Sequence, residues 1–239
     1  MATKILSIKD MREQAQRTGC SQFSFFLDPK ECMEIQESHP EAVLWGGYED
    51  AERKMVCFPA DWDMEPQFPM QTLQIKVKNK KAELSHRDCL GSLMQLGMDR
   101  SCFGDIVKMQ DGFIIFATEA AASFVKFNLE KVGREGVLVL ENEETITVPE
   151  REFREEKRTV ASKRLDCVVA AFLNVSRTKA LEYLRQERVT LNYSVVKDAD
   201  KQVNDGAVIS VRGHGKAKLH FTGDTSRKGR LYLEILYYI

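Results

Sequence analysis

The segment from Lys163 to Val211 constrains this chain more than any other, because it sets two short amphipathic helices around a two-residue break and follows them with strand signals. Leu165, Val168, Val169 and Phe172 recur at three-to-four spacing, the apolar stripe of a helix with one buried face, which leaves Lys163 and Asp166 towards solvent. Asn174-Val175 ends that helix. Ser176 is then an N-cap for a second helix whose Ala180, Leu181 and Leu184 pack inward. Arg177 and Lys179 fall in its first turn, where unpaired backbone N–H groups and the positive end of the helix dipole already favour an anion. Arg188-Val189-Thr190-Leu191-Asn192 and Asp205-Gly206-Ala207-Val208-Ile209-Ser210-Val211 supply the strands that follow. The combination reads as an RNA-binding module.

The charge distribution agrees with that placement. Residues 1–150 hold 17 Lys/Arg against 25 Asp/Glu, whereas residues 151–239 hold 18 against 11, so a formal net charge of -1 conceals an acidic part and a basic part. Phosphate contacts depend on local charge, so polyanion affinity is expected in the C-terminal third. The six cysteines (Cys20, Cys32, Cys57, Cys89, Cys102, Cys167) form no C-x-x-C pair and the four histidines are dispersed, so neither a metal site nor a disulfide framework is expected, and no cofactor is implied. With no apolar run of about 18 residues and no signal-peptide pattern at Met1–Leu6, the chain is expected to be soluble and cytoplasmic, with no membrane partner.

The expected fold class is α+β in three parts. An N-terminal α/β domain spans 1–70: Asp28-Pro29-Lys30-Glu31 carries a capping box and a helix-opening proline, predicting a helix to about Ser38, and Ala42–Trp45 is a strand ending at Gly46-Gly47. Pro59, Pro66 and Pro69 mark the first boundary. A middle domain, 71–150, runs strand (Leu73–Val77), helix (opened by Ser85), two strands (Asp105–Met109 and Phe113–Phe116), helix (about Glu119 to Val132) and strand (Val137–Leu140). This βαββαβ order is the ferredoxin-like plan shared with RNA-recognition motifs. Phe113 and Phe116 are three apart and so point to opposite faces of their strand, which favours core roles over joint base stacking. The charged stretch Pro149–Arg158 reads as a linker or a solvated strand end. The last domain, 158–239, closes with a hairpin of Leu219–Thr222 and Leu231–Ile235; Arg212 and Lys216 lead into it, and Arg227 and Lys228 lie in its loop, which serves either as an RNA contact or as an ordinary turn.

Helix, tight turn, Ser-Arg-x-Lys-Ala helix, R-V-x-x-N and D-G-x-V-I-S-V together resemble the S4-type RNA-binding domain over about residues 158–213. The resemblance implies that the RNA backbone is tracked by Lys163, Arg164, Ser176, Arg177, Lys179, Arg188, Asn192 and Lys197. The chain departs from the pattern at Glu187 and Tyr193, where the family usually has glycine. With the F-F-L-D-P opening (Phe25–Pro29), G-G-Y-E-D-A-E-R-K (Gly46–Lys54), H-R-D-x-L-G-x-L-M-x-L-G (His86–Gly97) and G-D-I (Gly104–Ile106), nearly the whole chain is similar to the YlmH family of bacterial proteins. That resemblance implies binding of structured ribosomal or transfer RNA, on the ribosome or its large subunit, and in some members rescue of stalled ribosomes or an association with cell division.

The rival reading is a pseudouridine synthase, since His86-Arg87-Asp88 echoes the H-R-L-D-x-x-T-S-G context of that enzyme's nucleophilic aspartate. The leucine and the Thr-Ser-Gly continuation are missing, and Asp88 is the fourth residue of a Ser-x-x-Asp capping box begun by Ser85. No glycine-rich methyltransferase loop and no synthetase signature occurs. The expectation is a non-catalytic RNA-binding protein of unread oligomeric state.

Overall fold

Asp28 starts its helix as the spacing predicts. Its carboxylate accepts the Glu31 N–H at 2.9 Å while the Glu31 carboxylate accepts the Asp28 N–H at 2.7 Å, and the helix α2 runs Pro29–Ser38. In this computed structural model, which describes residues 8–79, 81–141, 148–149 and 151–238, the chain divides into two compact units, Met1–Pro149 and Glu150–Ile239. The regions read from the sequence as 1–70 and, up to Pro149, 71–150 both lie in the first unit. Ahead of α2 comes a helix not read from the sequence, α1 (Ile8–Thr18), which buries Met11 and Ala15, one turn apart. Strands β1 (Gln22–Phe23), β2 (Val43–Trp45) and β3 (Met55–Phe58) form a small antiparallel sheet in the order β1-β3-β2. Val56 and Phe58 pack with Met11, Ala15 and Ile35.

The βαββαβ series follows. Strands β4 (Met70–Val77), β5 (Phe103–Met109), β6 (Gly112–Thr118), β7 (Lys131–Val132) and β8 (Glu135–Glu141) form an antiparallel sheet ordered β5-β6-β4-β8-β7. The helices α3 (His86–Gln95) and α4 (Glu119–Asn128) bury Cys89, Leu93, Ala121, Ala122 and Val125 with Leu73, Ile75, Phe113 and Ile115 of the sheet. The second helix was expected to reach Val132 but stops at Asn128. Gly133, at φ +58, supports a two-residue hairpin that pairs Val132 with Glu135, so the end of the expected helix is drawn into the sheet. Phe113 and Phe116 do face opposite ways: Phe113 joins the helix-side core, while Phe116 packs with Phe26, Met55 and Ile114 and stacks on Tyr48 at 5.2 Å between ring centroids. Both rings are fully buried, so neither offers a face to a base.

One carboxylate ties the two halves of this unit together. Asp105 accepts the Tyr48 hydroxyl at 2.8 Å and the backbone N–H groups of Glu52 (2.8 Å) and Arg53 (3.0 Å), strapping the Gly46–Lys54 segment to β5. Arg53 donates to the carbonyls of Phe103 at 3.0 Å and Phe26 at 2.9 Å. Gly47 completes the fit: its φ is +96, and a Cβ there would stand 2.2 Å from the Phe116 ring. Each hydrogen bond to a charged acceptor contributes roughly 1.5–3 kcal/mol. Asp105→Ala is therefore expected to destabilise Met1–Pro149 by about 3 kcal/mol, read by urea unfolding followed through Trp45 and Trp62. A loss below about 1 kcal/mol would show that the strap is dispensable.

In the second unit, β9 (Phe153–Val160), β10 (Val189–Leu191), β11 (Ser194–Val195), β12 (Val208–Val211), β13 (Gly215–Thr225) and β14 (Leu231–Tyr238) form one antiparallel sheet ordered β11-β10-β12-β13-β14-β9. The charged stretch is thus an edge strand: β9 pairs with β14 from Phe153↔Tyr238 to Val160↔Leu231. Helices α5 (Leu165–Leu173) and α6 (Arg177–Arg185) cover one face, packing Leu165, Val168, Val169, Phe172, Ala180 and Leu184 on Val189, Leu191, Ile209, Ala217, Leu219 and Leu233. Tyr237 fastens β14 to α5 by donating to the Phe172 carbonyl at 2.9 Å.

Candidate nucleic-acid interface

Asp166 does not point to solvent as the helical pattern suggests; it is 1% exposed. Its carboxylate accepts Arg177 Nη2 at 2.5 Å, and Arg164 Nη2 and Nε at 3.2 and 3.3 Å. Two side chains from either side of the helix break therefore share one buried anion. Burial by itself would raise the Asp166 pKa, but the hydrogen bonds from Arg164 and Arg177 outweigh it and hold the group far below the ordinary aspartate range. Both guanidinium groups are raised in turn by the same hydrogen bonds.

The arginine heads stay partly in water, with side chains 36% and 56% exposed for Arg164 and Arg177. A guanidinium has five N–H donors in a rigid fork, and Arg177 commits one of them to Asp166. The start of α5 is held by the loop before β12: Leu165 N–H donates to Lys201 O, Asp166 N–H to Ala199 O and Val203 N–H to Lys163 O, while Arg164 also pairs with Asp200. Asn174 closes α5 in the left-handed conformation, at φ +54, turning the chain so that Ser176 caps α6 by accepting the Lys179 N–H at 3.3 Å. Lys179 ion-pairs with Glu182 at 2.6 Å along the same helix, so the cationic start of α6 is partly balanced by its own side chains.

The remaining expected residues fall into separate groups. Arg188 lies over the Tyr183 ring at 4.6 Å and donates to the Arg212 carbonyl at 2.9 Å, and Tyr183 meets His214 Nε2 through its hydroxyl at 3.1 Å. Lys197 pairs with Glu187 at 2.6 Å, and Lys163 sits 4.9 Å over the Phe221 ring. Lys216 lies over Tyr193 and Tyr238. Arg227 and Lys228 stand in the turn between β13 and β14, closed by Gly229 N–H donating to Ser226 O. Asn192 is engaged by the backbone of Val208: its Oδ1 accepts the Val208 N–H at 2.9 Å and its N–H donates to Val208 O at 2.7 Å.

The two departures from glycine keep the glycine-like backbone. Glu187 has φ +56 and Tyr193 φ +63, and Asn192-Tyr193 forms a two-residue loop with both φ values positive, joining Leu191 to its partner Ser194. Each non-glycine residue there costs about 1 kcal/mol. The residues missed from the sequence are Asp166 in its organising role, and Tyr183 and His214. The 11-residue separation of Asp166 from Arg177 across a left-handed break hid the first.

Elsewhere, Asp88 accepts the Ser85 N–H at 2.8 Å and Ser85 Oγ at 2.6 Å, and these hydrogen bonds hold its carboxyl below the usual range. Burial pushes the Cys57 and Cys89 thiols up to about 12. Among the described residues, no group of three or more His, Cys, Asp or Glu could hold a metal ion, and no helix is long and apolar enough to cross a membrane.

Comparison with known proteins follows the same division. Residues 64–145 match the family model described as a putative RNA-binding domain in YlmH, and residues 163–209 match the S4 domain. A Bacillus subtilis protein named ribosome-associated protein quality control protein P2 is 30% identical over 201 residues, covering 81% of this chain and 78% of the relative. A solved structure of the cell division protein ylmH from Streptococcus pneumoniae is 21% identical, with a TM-score of 0.46 over 62% of this chain and 100% of that one.

The shared carboxylate makes a stability prediction. Asp166→Ala removes the buried acceptor and leaves the two half-exposed guanidinium heads to water, so the expected loss of stability in Glu150–Ile239 is that of the charge-assisted hydrogen bonds, about 2–3 kcal/mol. Because the folded pKa of Asp166 is depressed, its contribution is complete above the unfolded value near 4 and is lost as pH falls through the lower folded value. Acid unfolding of the native chain should therefore show a stability loss below about pH 4 that Asp166→Asn lacks; identical acid profiles would contradict the arrangement.

Proposed function

The chain belongs to the YlmH family, and from that membership we propose that it is a non-catalytic protein that binds structured ribosomal or transfer RNA through its S4 domain, on the ribosome or its large subunit in the cytoplasm. The observation that carries this reading is the pair of half-exposed arginines held on one buried carboxylate beside the start of α6. Such guanidinium groups meet phosphate oxygens as bidentate partners and lose little conformational freedom in doing so. The name of the Bacillus relative supports a place in ribosome-associated protein quality control. The RNA-binding description of the middle domain in the family supports a second RNA contact from residues 64–145, made by a surface other than the buried Phe113 and Phe116.

The synthase alternative finds no support at Asp88. Its carboxylate is engaged in the capping box that starts α3, and the hydrogen bonds that hold it there serve the helix.

Arg177→Ala combined with Lys179→Ala is expected to weaken binding of ribosomal RNA about tenfold or more and to flatten the slope of log K against log salt by about 2, near 0.9 for each phosphate that is no longer neutralised. Filter binding across a salt series reads both, with a thermal melt to establish folding. An unchanged affinity and slope in the folded variant would refute the reading. Asp88→Asn is expected to leave RNA affinity and cellular RNA modification unchanged; loss of a pseudouridine at one position in cells carrying it would show catalysis instead.

A further inference from the structure

We propose that the helix-free face of the C-terminal sheet is a second RNA surface, one that takes unpaired nucleotides by stacking bases on its aromatic side chains. One row of side chains crosses all six strands on this face. The register pairs Val195 with Thr190, Thr190 with Ser210, Ser210 with Lys216 and Tyr238 with Phe153, and the pairing of Ala217 with Tyr237 sets Lys216 beside Tyr238. Neighbouring residues on these strands, Val189, Leu191, Ile209, Val211 and Ala217, are buried under the helices, so by strand alternation this row faces away from them. At about 4.8 Å per strand, five steps give a platform about 24 Å long.

The chemistry along the row is aromatic and cationic. Phe153, 37% exposed, meets Tyr238 edge to face at 5.2 Å. Lys216 lies 4.4 Å over the Tyr238 ring and 5.4 Å over Tyr193, and Arg151 lies 5.2 Å over Tyr238. In the next row, Lys218 is exposed beside Leu236. The row itself contains no carboxylate side chain, while further along the face Glu155 and Glu234 are both engaged by Lys157. Flat rings with tethered cations suit a single strand, in which every base has a stacking face and every linkage a phosphate. A bound strand exchanges ring–cation contacts for ring–base and phosphate–cation contacts. A duplex hides its base faces in its own stack and gains nothing from the rings.

The surface is separate from the α6 edge, so the two are tested apart in the full chain. Fluorescence anisotropy with a uridine 12-mer and with an RNA hairpin whose short loop is itself stacked on the stem, leaving no free base face, compares the native protein with Phe153→Leu/Tyr238→Leu. We expect the double substitution to weaken 12-mer binding at least about fivefold, as loss of even one stack at roughly 1 kcal/mol requires, and to leave hairpin binding within about twofold. Phe153→Tyr/Tyr238→Phe, which keeps both rings, should bind the 12-mer as the native chain does, and it serves as the test should the leucine variant fail to fold. The proposal is overturned if the native chain does not bind the 12-mer, if the folded leucine variant binds it unchanged, if both RNAs are lost equally, if the ring-conserving variant loses the 12-mer, or if an oligoglutamate peptide outcompetes it for this face. Failure of the α6 reading appears differently, as hairpin binding indifferent to Arg177→Ala/Lys179→Ala.

Discussion

The shared carboxylate of Asp166 is the interaction on which the C-terminal unit and its chemistry both depend. It lies fully buried between two helices that the chain separates by a left-handed turn, and it is made tolerable there by Arg164 on one side and Arg177 on the other. An isolated charge so placed would cost several kcal/mol. Paired, it fixes the start of α5 relative to the start of α6 and sets the orientation of two cationic heads that remain in contact with water. Local structure, packing and ligand chemistry meet in that one group.

The same balancing of charge recurs around it. Lys179 with Glu182, Lys197 with Glu187 and Arg164 with Asp200 each set a cation beside a nearby acid, so the basic character of the unit is carried by orientation as much as by excess. Exposed pairs of this kind contribute little to stability, about 0–1 kcal/mol, and a polyanion can replace the carboxylate partner at small cost. The acidic first unit works differently: Asp105 directs its hydrogen-bonding capacity internally, to Tyr48 and the backbone of Glu52 and Arg53.

Periodicity and capping made much of the fold legible. The capping boxes at Asp28 and Ser85, the Ser176 cap and the alternation in β4 rest on interactions within a few residues, where sequence spacing and spatial neighbourhood coincide. Non-local pairing defeated the same reasoning. The charged segment Phe153–Val160 becomes a strand because β14, more than 70 residues later, supplies its hydrogen bonds, and α4 ends early because a hairpin at Gly133 recruits Val132. Glu187 and Tyr193 show a turn preserved without its usual residue: the strands β10 and β11 on either side over-determine the backbone at Tyr193, and the hydrogen bonds that close α6, Glu187 N–H to Leu184 O and Arg188 N–H to Tyr183 O, do so at Glu187. Of the candidate site, the α6 start was readable from Ser176, Arg177 and Lys179. Asp166 was misplaced because helical spacing reports distance from the apolar stripe and is blind to an arginine arriving from another helix, and Asn192 proved to serve the backbone of Val208.

The central claim is that Asp166 organises cations for RNA rather than diluting their charge. The most direct measurement is the ribosomal RNA affinity of full-length Asp166→Asn, verified as folded, at fixed ionic strength. Net charge alone says that removing a negative group strengthens binding to a polyanion. The account predicts the opposite, about tenfold weaker binding as two arginines regain the freedom they had lost; an affinity that rises or stays the same would contradict it.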